Sequence, residues 1–402
     1  MLLAPLEPGP QLHSFFLYFH PAKTFTAAKW AARDLAAMEL QPVRYAIVGL
    51  GHIAQTEVLP AFANAEHSEL AALITEEPEK RTVLSERYGV PAYRYDEFER
   101  ALDEARVDAV FIAVPNVRHR EFAERAARAG AHVLCEKPMA TTEEDCRAMI
   151  EACDRAGVCL MTAYRLHFTE AHVCAIELAK SGDLGELRYF NSLFAMQVKE
   201  DNIRVSKGAG GGPLYDIGIY CINASRYLFC DEPTEVFGVT ASGDDPRFTE
   251  VEEMVTVTLK FPRSRLATFT CSFGSANMDQ LDLVGSDCAL HIEPAYGYSG
   301  SLKWRLKRGA HVEERNFPAG DQFGGEIVYF SNCIRRHERP EPSGIEGLAD
   351  VRIINAVYES VRLGKPVILE PVAKSTRPSA EQIITCPPHS PPPTVAASAP
   401  AR

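Results

Sequence analysis

The chain has no surplus of basic residues: Lys and Arg number 42 against 54 Asp and Glu, a formal net charge of −12. A nucleic-acid scaffold needs a basic footprint, and an anionic membrane surface would repel this balance, so neither partner is expected. No run of 18 apolar residues occurs, so nothing is expected to span a bilayer. The apolar stretch Phe15–Phe19 has no basic region before it, no long apolar core and no small-residue cleavage pattern, so it does not read as a secretory signal. No internal repeat is visible. The 11 cysteines form no CxxC pair and no metal-ligand spacing, so no metal centre is expected. Unpaired thiols in odd number predict a reducing, cytoplasmic compartment.

What is present suits two domains. The chain has 402 residues, 46% of them hydrophobic and 24% charged, against about 100–200 residues per domain. Apolar runs at 43–50, 69–75, 107–114, 132–136 and 159–163 alternate with helical patterns at 79–88, 96–105, 119–129 and 142–156. That alternation predicts an α/β fold with a doubly wound parallel sheet over residues 43–164. From 165 to 372 the pattern changes. One helix at 169–181 precedes a series of strands, a helix at 215–229 interrupts them, and helices at 324–336 and 347–363 follow. This predicts a second α/β domain with a mostly antiparallel, open sheet, whose uncovered face a partner subunit would cover. Residues 1–42 read as an arm that adds little to the fold. Residues 373–402, rich in Ser, Pro, Ala and Thr, are expected to stay unordered.

Gly49-Leu50-Gly51-His52-Ile53-Ala54 is G-x-G-x-x-A between a strand and a helix. The first glycine permits the tight turn, the second lets backbone approach a pyrophosphate, and the small third residue lets helix and strand pack closely. The helix N-terminus then offers its positive dipole end to the phosphates. This predicts a Rossmann dinucleotide site built from Gly49, Gly51, His52, Ile53 and Ala54. At the end of the second strand, where an acidic residue would bind a ribose 2′-hydroxyl, stands Thr75, with Glu76 and Glu77 after it and then Lys80 and Arg81. A neutral hydroxyl with nearby cations predicts NADP. NAD remains possible if Glu76 turns inward and the two cations only face solvent.

Two further clusters suit proton transfer. Lys137, in Glu136-Lys137-Pro138, follows a core strand and should emerge at the carboxyl edge of the sheet, where ligands bind in open α/β folds. Partial burial would lower its pKa and a neighbouring carboxylate would raise it. Asp216 and Tyr220 lie four apart on a helix opened by Gly210-Gly211-Gly212. They share one helical face, either for chemistry or for packing and capping.

Taken together, Gly49-x-Gly51-x-x-Ala54, Val114-Pro115-Asn116 with His119, Glu136-Lys137-Pro138, Tyr164-Arg165 and Asp216-Ile217-Gly218-Ile219-Tyr220 resemble the Gfo/Idh/MocA (glucose–fructose oxidoreductase) family, over about residues 43 to 370. The resemblance implies that Lys137 lies near the nicotinamide and the reacting carbon. Tyr220 stands where many members have His, as in the sugar and dihydrodiol/xylose dehydrogenase branches, and would exchange the proton. Asp216 would bind substrate hydroxyls. Arg165 would position cofactor or substrate, and Pro115, Asn116, His119 and Glu136 would lie beside the cofactor. The implied activity is oxidation of an aldose to its lactone, or of a related polyol or diol. A trans-dihydrodiol dehydrogenase, a carbonyl reductase and a non-catalytic NADP-binding sensor are the alternatives. A homodimer or homotetramer through the open sheet face is implied as well. With no export signal, the cofactor is expected to exchange freely.

Overall fold

A computed structural model describes residues 41–374 and 376–401. The arm expected over 1–42 falls outside them, apart from its last two residues. Strands β1 (Val43–Val48), β2 (Ser68–Ile74), β3 (Ala92–Tyr93), β4 (Ala109–Ile112), β5 (His132–Glu136) and β6 (Leu160–Ala163) form one parallel sheet in the order β3-β2-β1-β4-β5-β6. All four residues of β4 are fully buried, as a parallel strand covered by helices on both faces requires. The strand order reverses beside β1, and Val48 pairs with Ile112. The loops leaving β1 and β4 therefore emerge side by side, at the switch point where such sheets open a crevice. Helix Glu143–Ala156 shows why the pattern was readable. Thr142 accepts from Asp145 N at its start, three acidic residues fill its first turn, and Gly157 ends it at φ 69°.

The second sheet contains β7 (Leu187–Gln197), β8 (Glu235–Ala241), β9 (Met254–Phe261), β10 (Arg265–Ser272), β11 (Gly274–Gly285), β12 (Ala289–Ile292), β13 (Leu302–Arg308), β14 (His311–Phe317) and β15 (Val367–Ile368). Its order is β14-β13-β12-β11-β7-β10-β9-β8-β15, antiparallel except where β7 meets β10. Burial alternates along β9 and β10. One face packs into a core with helices Ile219–Phe229 and Gly344–Leu363, whereas Tyr189, Phe237, Val239 and Leu266 remain exposed. Among the described residues no helix is long and apolar enough to cross a membrane.

The tail differs from expectation. It was expected to stay unordered because it cannot build a core of its own. It instead runs extended over surfaces that the two domains already provide. Lys374 pairs with Glu341 at 2.9 Å and with Glu346, Arg377 pairs with Glu232 at 2.7 Å, and Cys386 and Val395 join the apolar cluster beneath β1. Its ion pairs complete a buried network centred on Arg226. That guanidinium is fully buried and reaches Glu232, Glu346 and Asp350 at 2.7, 2.9 and 2.6 Å. A buried charge costs stability unless it is paired, and here each carboxylate has a cation or amide beside it.

Replacing Arg226 with Met should leave Asp350 without a cation in the core, Glu346 keeping Lys374, and destabilise the protein by about 3–5 kcal/mol. Equilibrium urea unfolding measures this. An unchanged midpoint would show that the network is dispensable.

Candidate active site

The turn after β1 is built as its glycines predict. Gly49 has φ 88°, and a Cβ there would meet the Ala113 carbonyl at 2.5 Å, so β4 leaves no room for a side chain. Gly51 differs: a Cβ built there meets nothing within 4 Å. That open space fits the close approach of a pyrophosphate to backbone amides. Ala54 is fully buried and starts a π-helical turn, Ala54–Val58. Ile53 packs half-buried on the apolar cluster behind the turn. Burial lowers the His52 pKa, and the charges of Arg204 and Lys199 lower it further.

At the end of β2, Thr75 is buried and its amide donates to the Tyr93 carbonyl at 3.0 Å. Glu76 accepts from the Tyr95 amide at 2.8 Å, so its carboxylate is turned toward that turn. Lys80, expected to face a ribose phosphate, is instead buried and engaged by Glu77 at 2.5 Å. Arg81 holds the strand end, donating to the carbonyls of Thr75 and Glu76 at 2.9 and 2.6 Å.

Pro115 and Asn116 leave β4 toward the second domain, and Asn116 Nδ2 donates to the Gly210 carbonyl at 2.9 Å. His119, expected beside the cofactor, is fully buried between the carbonyls of Pro138 and Val114, each 2.9 Å from a ring nitrogen. Burial holds its pKa below the ordinary value, and a neutral imidazole can donate to only one of the two carbonyls. His119 braces the β4 and β5 loops and has no surface to offer a ligand.

Lys137 emerges after β5 and reaches the second domain. Its Nζ donates to the Asp216 carbonyl at 2.9 Å, lies 3.3 Å from Asp216 Oδ1, and sits 4.9 Å from the centre of the Tyr220 ring. Burial is the largest influence on the Lys137 ammonium and would lower its pKa. Tyr220, Asp216 and Glu136 together outweigh burial, so the pKa lies above the ordinary lysine value. Glu136 is shifted up, chiefly by burial, although Lys137 opposes this. Asp216 lies in a π-helical turn, Leu214–Gly218, that leads into helix Ile219–Phe229 and Tyr220. Its other oxygen takes a hydrogen bond from Arg204 Nε at 2.6 Å. Burial would raise the Asp216 pKa, but Arg204 and Lys137 overcome it and leave the carboxyl below its ordinary value. Asp216 was expected to bind substrate hydroxyls; one of its oxygens lies against Lys137 and the other against Arg204.

Arg165 completes the cluster. Its Nη2 donates to Tyr220 Oη at 3.1 Å and to the Tyr296 carbonyl at 2.6 Å, and its Nη1 bonds Gln322. Tyr220 thus sits between two cations, Lys137 and Arg165, whose centres lie 4.9 and 5.0 Å from its ring. Cations placed this way stabilise the negative charge that develops when a phenol gives up its proton. Arg204, Tyr296 and Gln322 had no signal of their own in the sequence. The nearest hint is the glycine run. Gly212 N donates to the Arg204 carbonyl at 2.8 Å, and a side chain at Gly211 would collide with that carbonyl. The glycines thus mark a close backbone approach without naming its partner.

Two family models match the chain. Residues 43–164 match an oxidoreductase family with an NAD-binding Rossmann fold, and residues 172–291 match the GFO/IDH/MocA C-terminal domain. An NADP⁺ D-xylose 1-dehydrogenase of Haloarcula marismortui is 30% identical over 82% of this chain and 94% of its own length. A trans-1,2-dihydrobenzene-1,2-diol dehydrogenase of Mus musculus is 28% identical over 80% and 96%. The crystal structure of an aldose-aldose oxidoreductase from Caulobacter crescentus, complexed with glycerol, superposes with a TM-score of 0.78 at 40% identity, covering 82% of this chain and 100% of that one.

The Arg204–Asp216 pair carries a pH signature. A depressed carboxyl pKa contributes stability above the unfolded value, about 3.9, and loses it as pH falls through the folded value. The stability gap between the native protein and Arg204→Gln should therefore be full at neutral pH and close below about pH 4. Urea unfolding across that range measures it. A gap that persists in acid would assign Arg204 to packing alone.

Proposed function

The chain belongs to the Gfo/Idh/MocA oxidoreductase family, and from that premise we propose that it is an NADP-preferring dehydrogenase of an aldose or a related polyol. The observation that carries this reading is Tyr220 held between Lys137 and Arg165, at the carboxyl edge of a sheet whose β1 turn fits a dinucleotide. The nicotinamide supplies the hydride acceptor. Gly49 and Gly51 provide the backbone cradle, and Thr75 with Arg81 receives the adenosine ribose and its phosphate. Glu76, bonded to the Tyr95 amide, leaves that position open to a phosphate, which supports NADP over NAD. Tyr220 acts as its phenolate: its Oη takes the substrate hydroxyl proton as the hydride leaves for the nicotinamide, and the substrate carbon becomes a carbonyl. Lys137, kept as an ammonium, and Arg165 stabilise the phenolate before that transfer. Asp216 orients Lys137.

The sugar class is supported by the relatives, whose names include a xylose dehydrogenase and an aldose-aldose oxidoreductase. One observation favours a second reading, a diol dehydrogenase with an aromatic substrate. Tyr298 and Phe323 lie with Tyr220 around Arg165, at 5.4, 5.9 and 5.0 Å from its guanidinium, and form an aromatic wall. The exposed Tyr189, Phe237, Val239 and Leu266 support pairing of copies through the open sheet face. The eleven cysteines, all free, support a reducing, cytoplasmic setting.

The test is reduction of NADP⁺ or NAD⁺ with a panel of aldoses, polyols and aromatic diols. Turnover with a sugar and a higher kcat/KM for NADP⁺ is expected. A ratio favouring NAD⁺ would reverse the cofactor assignment, and nucleotide binding without turnover would favour a sensor. Lys137→Ala should lower kcat by about 10²–10⁴-fold, the range for a positioned acid–base group. Light scattering should give a dimer or tetramer that Leu266→Glu dissociates.

A further inference from the structure

The C-terminal tail lies outside the residues matched by the two family models, and the catalytic reading makes no use of it. Its course is specific. Asn64 donates to the Pro387 carbonyl at 3.4 Å, His389 Nε2 lies 3.0 Å from the Thr56 carbonyl, and Arg87 donates to the Pro393 carbonyl at 2.9 Å. The tail thus runs along the dinucleotide helix from its end toward its start. Pro391-Pro392-Pro393 stiffen this approach.

At the helix start, Gln55 grips one tail residue on both sides. Its Oε1 accepts from Val395 N at 2.7 Å, and its Nε2 donates to the Val395 carbonyl at 3.0 Å. The same Nε2 donates to the Leu50 carbonyl at 2.8 Å, and Leu50 lies between the two glycines of the cofactor turn. Val395 is buried in one cluster with Leu50 and Ala54. The chain then bends. Ala396 has φ 46°, a left-handed conformation uncommon for alanine, and the Thr394 hydroxyl donates to the Ala397 carbonyl at 2.6 Å.

Beyond the bend the chain crosses to the other domain. Lys199 N donates to the Pro400 carbonyl at 2.9 Å, and Val198 pairs with Ala401 in an antiparallel bridge. The residues between these anchors run from the glycine turn to the loop that carries Arg204, the partner of Asp216.

We propose that residues 395–401 form a strap across the mouth of the nucleotide cleft, and that the dinucleotide enters and leaves when the strap's far end lifts from Val198 and Lys199. The two anchors are unequal. The near one combines a paired amide grip with a buried valine. The far one is backbone pairing alone, with no buried residue over 396–401, and so takes less free energy to open. The strap therefore hinges at Ala396 and slows nucleotide exchange, contrary to the freely exchanging cofactor that the sequence led us to expect. This rests on the reading of the glycine turn as the nucleotide site.

The test loads the full chain, and a version ending at Val395, with NADPH. Excess NADP⁺ then displaces it while nicotinamide fluorescence is followed by stopped flow. Release should be about tenfold faster without the strap, as for closing elements that limit product release, with the unfolding midpoint unchanged. A second variant keeps the length but replaces Lys199 with Pro, which removes the amide that holds the Pro400 carbonyl, and should release NADPH equally fast. Unchanged release in both variants overturns the strap while leaving the nucleotide site standing. Failure of the full chain to bind NADPH overturns the site, and the strap with it.

Discussion

The ion pair between Lys137 and Asp216 joins the carboxyl end of β5 to a π-helical turn of the second domain, and the proposed chemistry depends on it. The two side chains are 12% and 15% exposed, so water screens their attraction only partly. At about 4 Å such a pair gains about 1 kcal/mol in water and about 4 kcal/mol near a protein surface. Electrostatics at this spot therefore decides protonation. Lys137 is held toward its ammonium form and Asp216 toward its carboxylate, beside the Tyr220 hydroxyl to which the proposed mechanism gives the proton transfer.

The rest of the molecule keeps that pair in register. Neighbouring parallel strands deliver the turn after β1 and the loops after β4 and β5 to one edge of the sheet, and His119 ties the last two loops together. On the other side the glycine run folds tightly under Arg204, whose guanidinium reaches Asp216. The buried network around Arg226 follows the same rule away from the chemistry. Charges are tolerated in the interior because opposite charges, two of them from the tail, meet there.

Local signals were read correctly where the chemistry itself is local. The G-x-G-x-x-A turn, the helix that opens at Thr142 and the change near residue 165 from alternating strands and helices to a series of strands each depend on neighbours in the chain. The structure departs from expectation where burial or a packed surface claims a group, whether its partner is near in the chain or far. Lys80 looked like a phosphate ligand until Glu77 and burial claimed it, and Arg81 took the strand end. His119 looked like a ligand contact, yet it braces two loops. Residues 373–402 looked unable to order themselves, which holds for the tail alone but ignores the surfaces it lies on.

The sequence by itself determined the two sheets, the place of the dinucleotide turn, and the candidacy of Lys137, Asp216 and Tyr220. Periodicity, capping and glycine requirements act over a few residues, and a motif carries its own geometry. The tertiary structure alone decided what each charged group faces. Arg204 on Asp216, Arg165 on Tyr220, and the tail crossing from Gln55 to Lys199 are contacts between segments 12 to 340 residues apart. Coulomb attraction and burial depend on distance in space, and spacing along the chain does not encode that distance.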